Sequence, residues 1–499
     1  MKHISMKLLS MAAPALLAFT MVACSDDDDN NGTIDPNADV TAPKVVSVTP
    51  EDGATDLELI DKLVITYDEP VFRTPVTTIR VNGQYVDEGV VAEGNQLIIP
   101  IEATGNTTYK VEILKPSVRD AEMNFASDFT TTFSTKAYNM FDPTLFDITE
   151  SPVNADATEP TKKLYAYLKS QFGQKVLSGA MAEINWNTQN AEMMYQMTGK
   201  YPAINTFDFV HHIFSAPLNP SNWIDYTNTQ PVEDWFNAGG IVSCMWHWNV
   251  PAVTIFEGDD EKKKEEEEKS INDFASYTFY DENTEFTAQR ATRAGTFEKR
   301  IFDRDLDIIA NYLLALQAKG IPVIWRPFHE ASGNTGKYDG GHAWFWWGNG
   351  QGKDKDYAAA NTFFKRLWVN LYNGLKERGV NNLIWVWTSN GADANWYPGD
   401  EYVDIIACDY YENDATLYHN SLSTNFNELI AITNKKMVTL SECGAIPAIT
   451  NMMQGGDMWS WFMPWYGDYM TDPHNSSVFM NTLMNSDMVI TRDELPELK

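Results

Sequence analysis

Eight apolar runs recur between residues 175 and 465: KVLSGAM, PAINTFDF, GIVSCMWHW, PVIWRPFHE, NLIWVWTSN, VDIIACDYY, KMVTLSE and WSWFMPW. Each has the length of a strand. Longer amphipathic stretches separate most of them, such as TKKLYAYLKSQFG before the first, DRDLDIIANYLLALQAKG before the fourth and TFFKRLWVNLYNGLKERG before the fifth. Strand then helix, eight times over, is the pattern of a (β/α)8 TIM barrel, expected here over residues 160–499. One segment breaks the rhythm. EGDDEKKKEEEEKSINDFASYTFYDE, after the third run, is highly charged and then aromatic, and reads as a solvated rim helix or loop, with a lid or cleft wall as the alternative.

Residues 41–136 follow another grammar: KVVSVTP, DKLVITY, TTIRVNG, QLIIP, TYKVEIL and TTFST are short, β-branched and separated by turn residues. Strands at that spacing read as a small all-β sandwich. The opening PKVVSVTPEDGATDLELIDKLVITYDEPVF resembles bacterial Ig-like domains, which implies a spacer; a glycan-binding role is the alternative. Residues 137–159 read as a linker.

At the start of the chain, Lys2 and Lys7 precede an apolar stretch from Leu8 to Ala23 that is too short to span a membrane but suits a secretory signal. MVAC at 21–24 resembles a bacterial lipobox, which implies that residues 1–24 are a lipoprotein signal and that Cys24 is lipidated. SDDDDNN follows, so residues 25–40 read as an acidic, solvated tether. The tether resembles the export signal of Bacteroidetes surface lipoproteins. That resemblance implies anchoring in the outer membrane by lipid alone, facing the cell surface or else the periplasm, alongside other glycan-uptake proteins. The remaining cysteines, Cys244, Cys408 and Cys443, show no metal-ligand spacing and read as buried thiols.

A formal net charge of -32 excludes a nucleic-acid surface, which needs clustered Lys and Arg. A neutral ligand fits better, and 16 Trp and 22 Tyr would suit sugars. In a barrel the chemistry stands at the C-terminal strand ends. Collected there are Asp208, His247, Arg326, His329, Glu330, Asn390, Asp409, Tyr410, Tyr411 and Glu442. Any one of them could simply cap the core, but the convergence of two glutamates from different strands suits hydrolysis of a glycosidic bond. That reaction needs one protonated carboxyl to donate to the leaving oxygen and one ionised carboxylate on the other side. Glu330, with Trp325, Trp344 and Trp346 nearby in sequence, is the candidate acid, because an apolar setting disfavours its charge. Glu442 is the candidate nucleophile, and Arg326 and Tyr411 are available to orient it.

WRPFHE followed by WFWWG and then a later SE at a strand end resembles glycoside hydrolase family 26 over residues 160–490. The family comprises chiefly endo-β-1,4-mannanases, with some β-1,3-1,4-glucanases and β-1,3-xylanases. The resemblance implies a retaining mechanism with Glu330 as acid/base and Glu442 as nucleophile. It further implies that His329 and His247 position sugar and nucleophile, that Trp344 lines the cleft beside the acid and that Trp465 is the platform under the sugar at the cleaved bond. Tyr411 would hydrogen-bond the nucleophile, with Tyr410 as the alternative. Two departures stand out. NTGKYDGGHA intervenes between HEASG and WFWWG, and Tyr466 follows the platform where some members carry an arginine, which favours internal cleavage over release of dimers from chain ends.

The expected function is therefore a retaining endo-β-1,4-mannanase acting on mannan, galactomannan or glucomannan without metal or cofactor. The alternatives are a β-1,3-1,4-glucanase of the same family and a non-catalytic glycan-binding lipoprotein.

Overall fold

The computed structural model describes residues 39–498, apart from 58–59, 76–77, 102, 104, 106, 136–140, 184–185, 336, 339 and 350–358. The signal segment, Cys24 and the tether up to residue 38 lie outside the described residues. The chain divides into two compact units, one of residues up to 102 and 108–134, the other of residues 103–107 and 135 onward.

The first unit is all β. One antiparallel sheet runs in the order Val45–Thr49, Lys62–Tyr67, Gln96–Pro100, Val91–Glu93, and a second in the order Ala54–Leu57, Phe129–Thr135, Thr108–Ile113, Ile79–Val81, Gln84–Tyr85. Alternation decides which faces turn inward: Leu63, Ile65 and Tyr67 of one strand and Tyr109, Val111 and Ile113 of another are buried, while their neighbours are not. All six expected runs form strands. The extra strands have only two to four residues, too few for alternation to mark them in sequence.

The second unit is the barrel. Its strands are β1 (Val176–Met181), β2 (Ile204–Asp208), β3 (Ile241–Trp246), β4 (Val323–Pro327), β5 (Leu383–Ser389), β6 (Ile405–Tyr410), β7 (Met437–Cys443) and β8 (Trp461–Pro464). Each pairs in parallel with the next, and β1 pairs with both β8 and β2, so the sheet closes. Side chains fill the inside of the closed sheet and helices pack outside it, which is why the eight runs are apolar throughout rather than alternating. The helix Glu159–Gln171 starts at Thr158, whose hydroxyl accepts from the Thr161 N–H, and Phe297–Gln317 starts likewise at Thr296. Each such cap contributes about 1 kcal/mol. Between β5 and β6 the described connection holds a single turn of 3-10 helix, Ala394–Trp396.

Part of the stretch expected as linker belongs to this unit. Phe141 and Phe146 stack on each other and meet Phe172 edge-on, the Val153 N–H donates to Asp404 Oδ1 at 2.7 Å, and Asn154 donates to Asn381 at 2.9 Å. Short polar runs with spaced aromatics look like linker until the surface that receives those rings is known. The charged segment after β3 splits in two. Asp260–Asn272 is a helix with no buried residue, whereas Phe279 and Tyr280 pair with the 344–346 stretch through Asp281 N–H to Trp344 C=O and Trp346 N–H to Phe279 C=O. The first half is thus a solvated helix, and the second half packs against the stretch that carries Trp344.

Candidate active site

The fourth strand ends in two left-handed residues. Phe328 and Glu330 have φ of 51° and 52°, a region that non-glycine residues avoid at a cost of about 1–3 kcal/mol each. The backbone reverses its course there, and the half-buried Glu330 accepts a hydrogen bond from Trp344 Nε1 at 2.9 Å. Trp347 Nε1 fixes the intervening residue by donating to the His329 carbonyl at 2.8 Å. Trp346 instead donates to Trp248 and Trp325 is wholly buried, so of the three tryptophans near Glu330 in sequence only Trp344 bonds it.

Across the barrel, a register shift between β6 and β7 does comparable work. Cys408 pairs with Leu440 but Asp409 pairs with Glu442, which leaves Ser441 as an extra residue. Such a bulge re-aims side chains. Here it brings Asp409 and Glu442 side by side: Ser441 Oγ donates to Asp409 Oδ1 at 2.6 Å, and Arg326, 2% exposed, donates to Asp409 Oδ2 at 2.9 Å and to Glu442 Oε1. Glu442 Oε2 accepts from the Tyr411 hydroxyl at 2.7 Å, whereas Tyr410 turns to Glu412. Both expected orienting groups thus bond Glu442, and the choice between the two tyrosines falls to Tyr411. Glu330, Asp409 and Glu442 each place a carboxylate oxygen within 4.8 Å of the others. Three carboxylates so close would repel strongly, and the guanidinium that bonds two of them supplies the balancing charge.

Electrostatics separates these groups. Burial, then the charges of Asp409 and Glu442, push Glu330 well above the usual carboxylate range. Asp409 is pushed up to about 7 by burial, with Arg326 opposing and Glu442 adding to the rise. Burial works against the charge on Arg326, but Asp409 and Glu442 outweigh it and hold the guanidinium protonated. Burial, together with His247 and Arg326, pushes His329 well below the usual imidazole value, so its ring is neutral. Tyr411 is held as the phenol by burial and by the charge of Glu442.

His247 donates its backbone N–H to Asp208 Oδ1 and shares a 2.6 Å contact between its Nδ1 and Asp208 Oδ2. Its ring meets His329 at 4.4 Å and Trp465 at 6.2 Å between centroids. Every residue expected at the site, Cys24 apart, therefore gathers at the C-terminal mouth of the barrel. Trp344 stands between two lobes of the cleft there. One, of about 560 Å³, is lined by Glu183, Asp208, His211, His247, Tyr280 and Tyr466. The other, of about 730 Å³, takes in Glu330, Tyr411, Lys337, Asn390 and Glu428.

Residues 153–494 match the profile of glycosyl hydrolase family 26. The chain belongs to this family. Residues 39–135 match a bacterial Ig-like domain. Among curated relatives, a mannan endo-1,4-beta-mannosidase of Thermothelomyces thermophilus is 33% identical over 353 residues, covering 70% of this chain and 64% of that protein. A mannan endo-1,4-beta-mannosidase A of a Piromyces species is 32% identical over 69% of this chain and 50% of its own length. The chain thus spans half to two thirds of these curated relatives. The GH26 domain of an endo-beta-mannanase/endo-beta-glucanase from Prevotella bryantii superposes with a TM-score of 0.58 at 36% identity, covering 70% of this chain and 99% of that domain. A beta-mannanase from a symbiotic protist of the termite Reticulitermes speratus, complexed with gluco-manno-oligosaccharide, gives 0.57 at 30% identity and covers 70% and 99% of the two chains.

Within this family 26 site, Asp208 and Asp409 carry roles that their sequence positions only hinted at. Both end strands, and so were noticed; what they bond depends on the neighbouring strand. Ser441 and Tyr280 gave no signal of their own beyond adjacency to Glu442 and to an aromatic run.

Proposed function

We propose that this chain is a retaining endo-β-1,4-mannanase in which Glu330 is the acid/base and Glu442 the nucleophile. The observation that carries this reading is the pair itself: two carboxylates with oxygens within 4.8 Å, in opposite settings. Retaining glycosidases separate their carboxyl groups by about 5–5.5 Å and inverting ones by about 6.5–9.5 Å, because only the latter must fit a water between sugar and base. Glu330, whose proton is held more tightly than that of an ordinary carboxyl, offers it to the leaving oxygen. Glu442 accepts a hydrogen bond on each oxygen, from Arg326 and Tyr411, and these orient it to attack the anomeric carbon. As the glycosyl-enzyme forms, charge leaves Glu442; Glu330, now deprotonated, draws the proton from the incoming water.

Trp465 supplies a face for the sugar whose bond breaks, and His247 and His329 border it. The half-buried Tyr466 continues from that platform at 5.1 Å into the first lobe, which makes this lobe the glycone side. A phenol in place of a cation weakens the grip on a chain end and supports internal cleavage. The mannan preference follows from the named activities of the relatives.

Wild-type protein from residue 25 onward, given unsubstituted mannan, galactomannan and mixed-linkage β-glucan, should release oligosaccharides of mixed length from the mannans with β-configured reducing ends by NMR. Release from the β-glucan alone would overturn the substrate, α-configured products would overturn the nucleophile, and no release would favour a binding scaffold. We further place the enzyme on the outer face of the outer membrane, tethered by lipid on Cys24, on the strength of MVAC and SDDDD. Protease added to intact cells should then remove its activity, and full protection would move it to the periplasm.

A further inference from the structure

The second lobe holds chemistry that bond cleavage does not use. Beside the catalytic groups, its polar lining includes Asn334 and Lys337 from the stretch after β4 that separates HEASG from WFWWG, Asn390 from the end of β5, Tyr410 and Asn413 from the end of β6, and Asn425 and Glu428 from the helix Ser423–Ile432. The stretch that carries Lys337 is anchored. Asn334 N–H donates to the His342 carbonyl at 2.9 Å and Asn334 Nδ2 to the Tyr338 hydroxyl at 3.0 Å, and Asn390 Nδ2 ties the base of the stretch to β5 by donating to the Gly333 carbonyl at 2.8 Å.

Between the two charged residues the floor is bare backbone. Gly391 has a φ of +82°, a left-handed conformation that suits glycine, and a methyl group there would sit 3.8 Å from Glu428 Oε2 and 4.0 Å from Lys337 Nζ. An ammonium with donors only and a carboxylate with acceptors only therefore both stand beside Gly391 in the lining of this lobe. Neighbouring hydroxyls of a sugar match that pair, since one can accept from Lys337 while the next donates to Glu428. The lobe's place along the cleft is set by its other wall. It contains Glu330, which faces the leaving oxygen, and contains neither Trp465 nor Tyr466.

We infer that Lys337 and Glu428 form a subsite for an uncharged hexosyl unit on the leaving-group side, and that this pair sets which internal bond is cut. The inference rests on the mannanase reading above. Sugar bound there pulls the chain across the catalytic pair so that more of it departs as the leaving group.

The test is the cleavage pattern of mannopentaose in ¹⁸O-labelled water, which marks the new reducing end and counts how many sugars leave. Wild type should cut so that two sugars leave more often than one. Lys337→Met and Glu428→Gln should each shift that ratio severalfold toward one departing sugar, and Lys337→Arg should restore it. A slower reaction with an unchanged ratio in both variants would mean that the pair only holds the loop to the helix, and would overturn the subsite. Should wild type leave mannopentaose intact, the mannanase reading fails and the subsite with it, an outcome separate from an unshifted ratio. Because a ratio of products from one enzyme does not depend on how much protein is folded, a merely destabilised variant cannot mimic the shift.

Discussion

Glu442→Gln should lower turnover of galactomannan by roughly five orders of magnitude, as loss of a covalent nucleophile does elsewhere. The amide keeps the shape and can still accept from Tyr411, but it cannot form the glycosyl ester. Nearly complete loss with substrate binding retained, measured by calorimetry on manno-oligosaccharide, is the expected result. Part of the change falls on stability. Breaking a buried ion pair costs about 3–5 kcal/mol when the remaining charge is stranded, but Arg326 keeps Asp409 at 2.9 Å, so the drop in melting temperature should be modest. Glu442→Ala identifies the role chemically. Azide entering the space left by the side chain attacks from the face opposite the leaving group and gives the α-glycosyl azide from an activated aryl β-mannoside. A β-azide, or turnover within tenfold of wild type, would remove Glu442 from the nucleophile's place.

Glu330→Ala should cost about 10²–10⁴-fold on polysaccharide, the usual worth of a positioned acid. It should cost far less in the first step on a dinitrophenyl glycoside, whose leaving group departs without a proton. The glycosyl-enzyme then accumulates, a burst appears, and azide yields the β-azide. Equal loss on both substrates would sink the assignment. The pH profile supplies a second check. Since Glu330 must be protonated to start the reaction, the basic limb of kcat/KM follows its deprotonation, and burial beside Asp409 and Glu442 moves that limb upward from the ordinary carboxylate range. The Trp344 N–H favours the ionised form by donating to it, so Trp344→Phe should move the basic limb higher still, whatever it does to the rate through lost stacking. A downward move would mean that some other group governs the limb.

Much of the site was legible because it is written at strand ends. Glu330 in RPFHE and Glu442 in LSECG each interrupt an apolar run with a costly carboxylate, and a barrel gathers such interruptions at one mouth. Less legible was the cause of the raised acidity of Glu330. Neighbouring tryptophans suggested an apolar pocket; burial is indeed the leading cause, but two further carboxylates reinforce it and Trp344 opposes it. Asp409 was visible as a strand-end residue without a job, because its job is to bond Arg326 from two strands away.

By itself, then, the sequence determined the eight-strand barrel, the small β domain before it, and the two glutamates with their histidine and tryptophan neighbours. All of these are local patterns, set by which side chains a stretch of a few residues must bury or expose. Only the tertiary structure decided that Tyr411 rather than Tyr410 bonds Glu442, that Arg326 joins Asp409 to Glu442, and that Lys337 and Glu428 face one bare glycine. Those outcomes hang on a one-residue register shift at Ser441 and on a loop meeting a helix some 90 residues further along the chain, counted from Lys337 to Glu428. Contacts of that kind depend on how distant segments are set against each other by packing, and no run of neighbouring residues carries them.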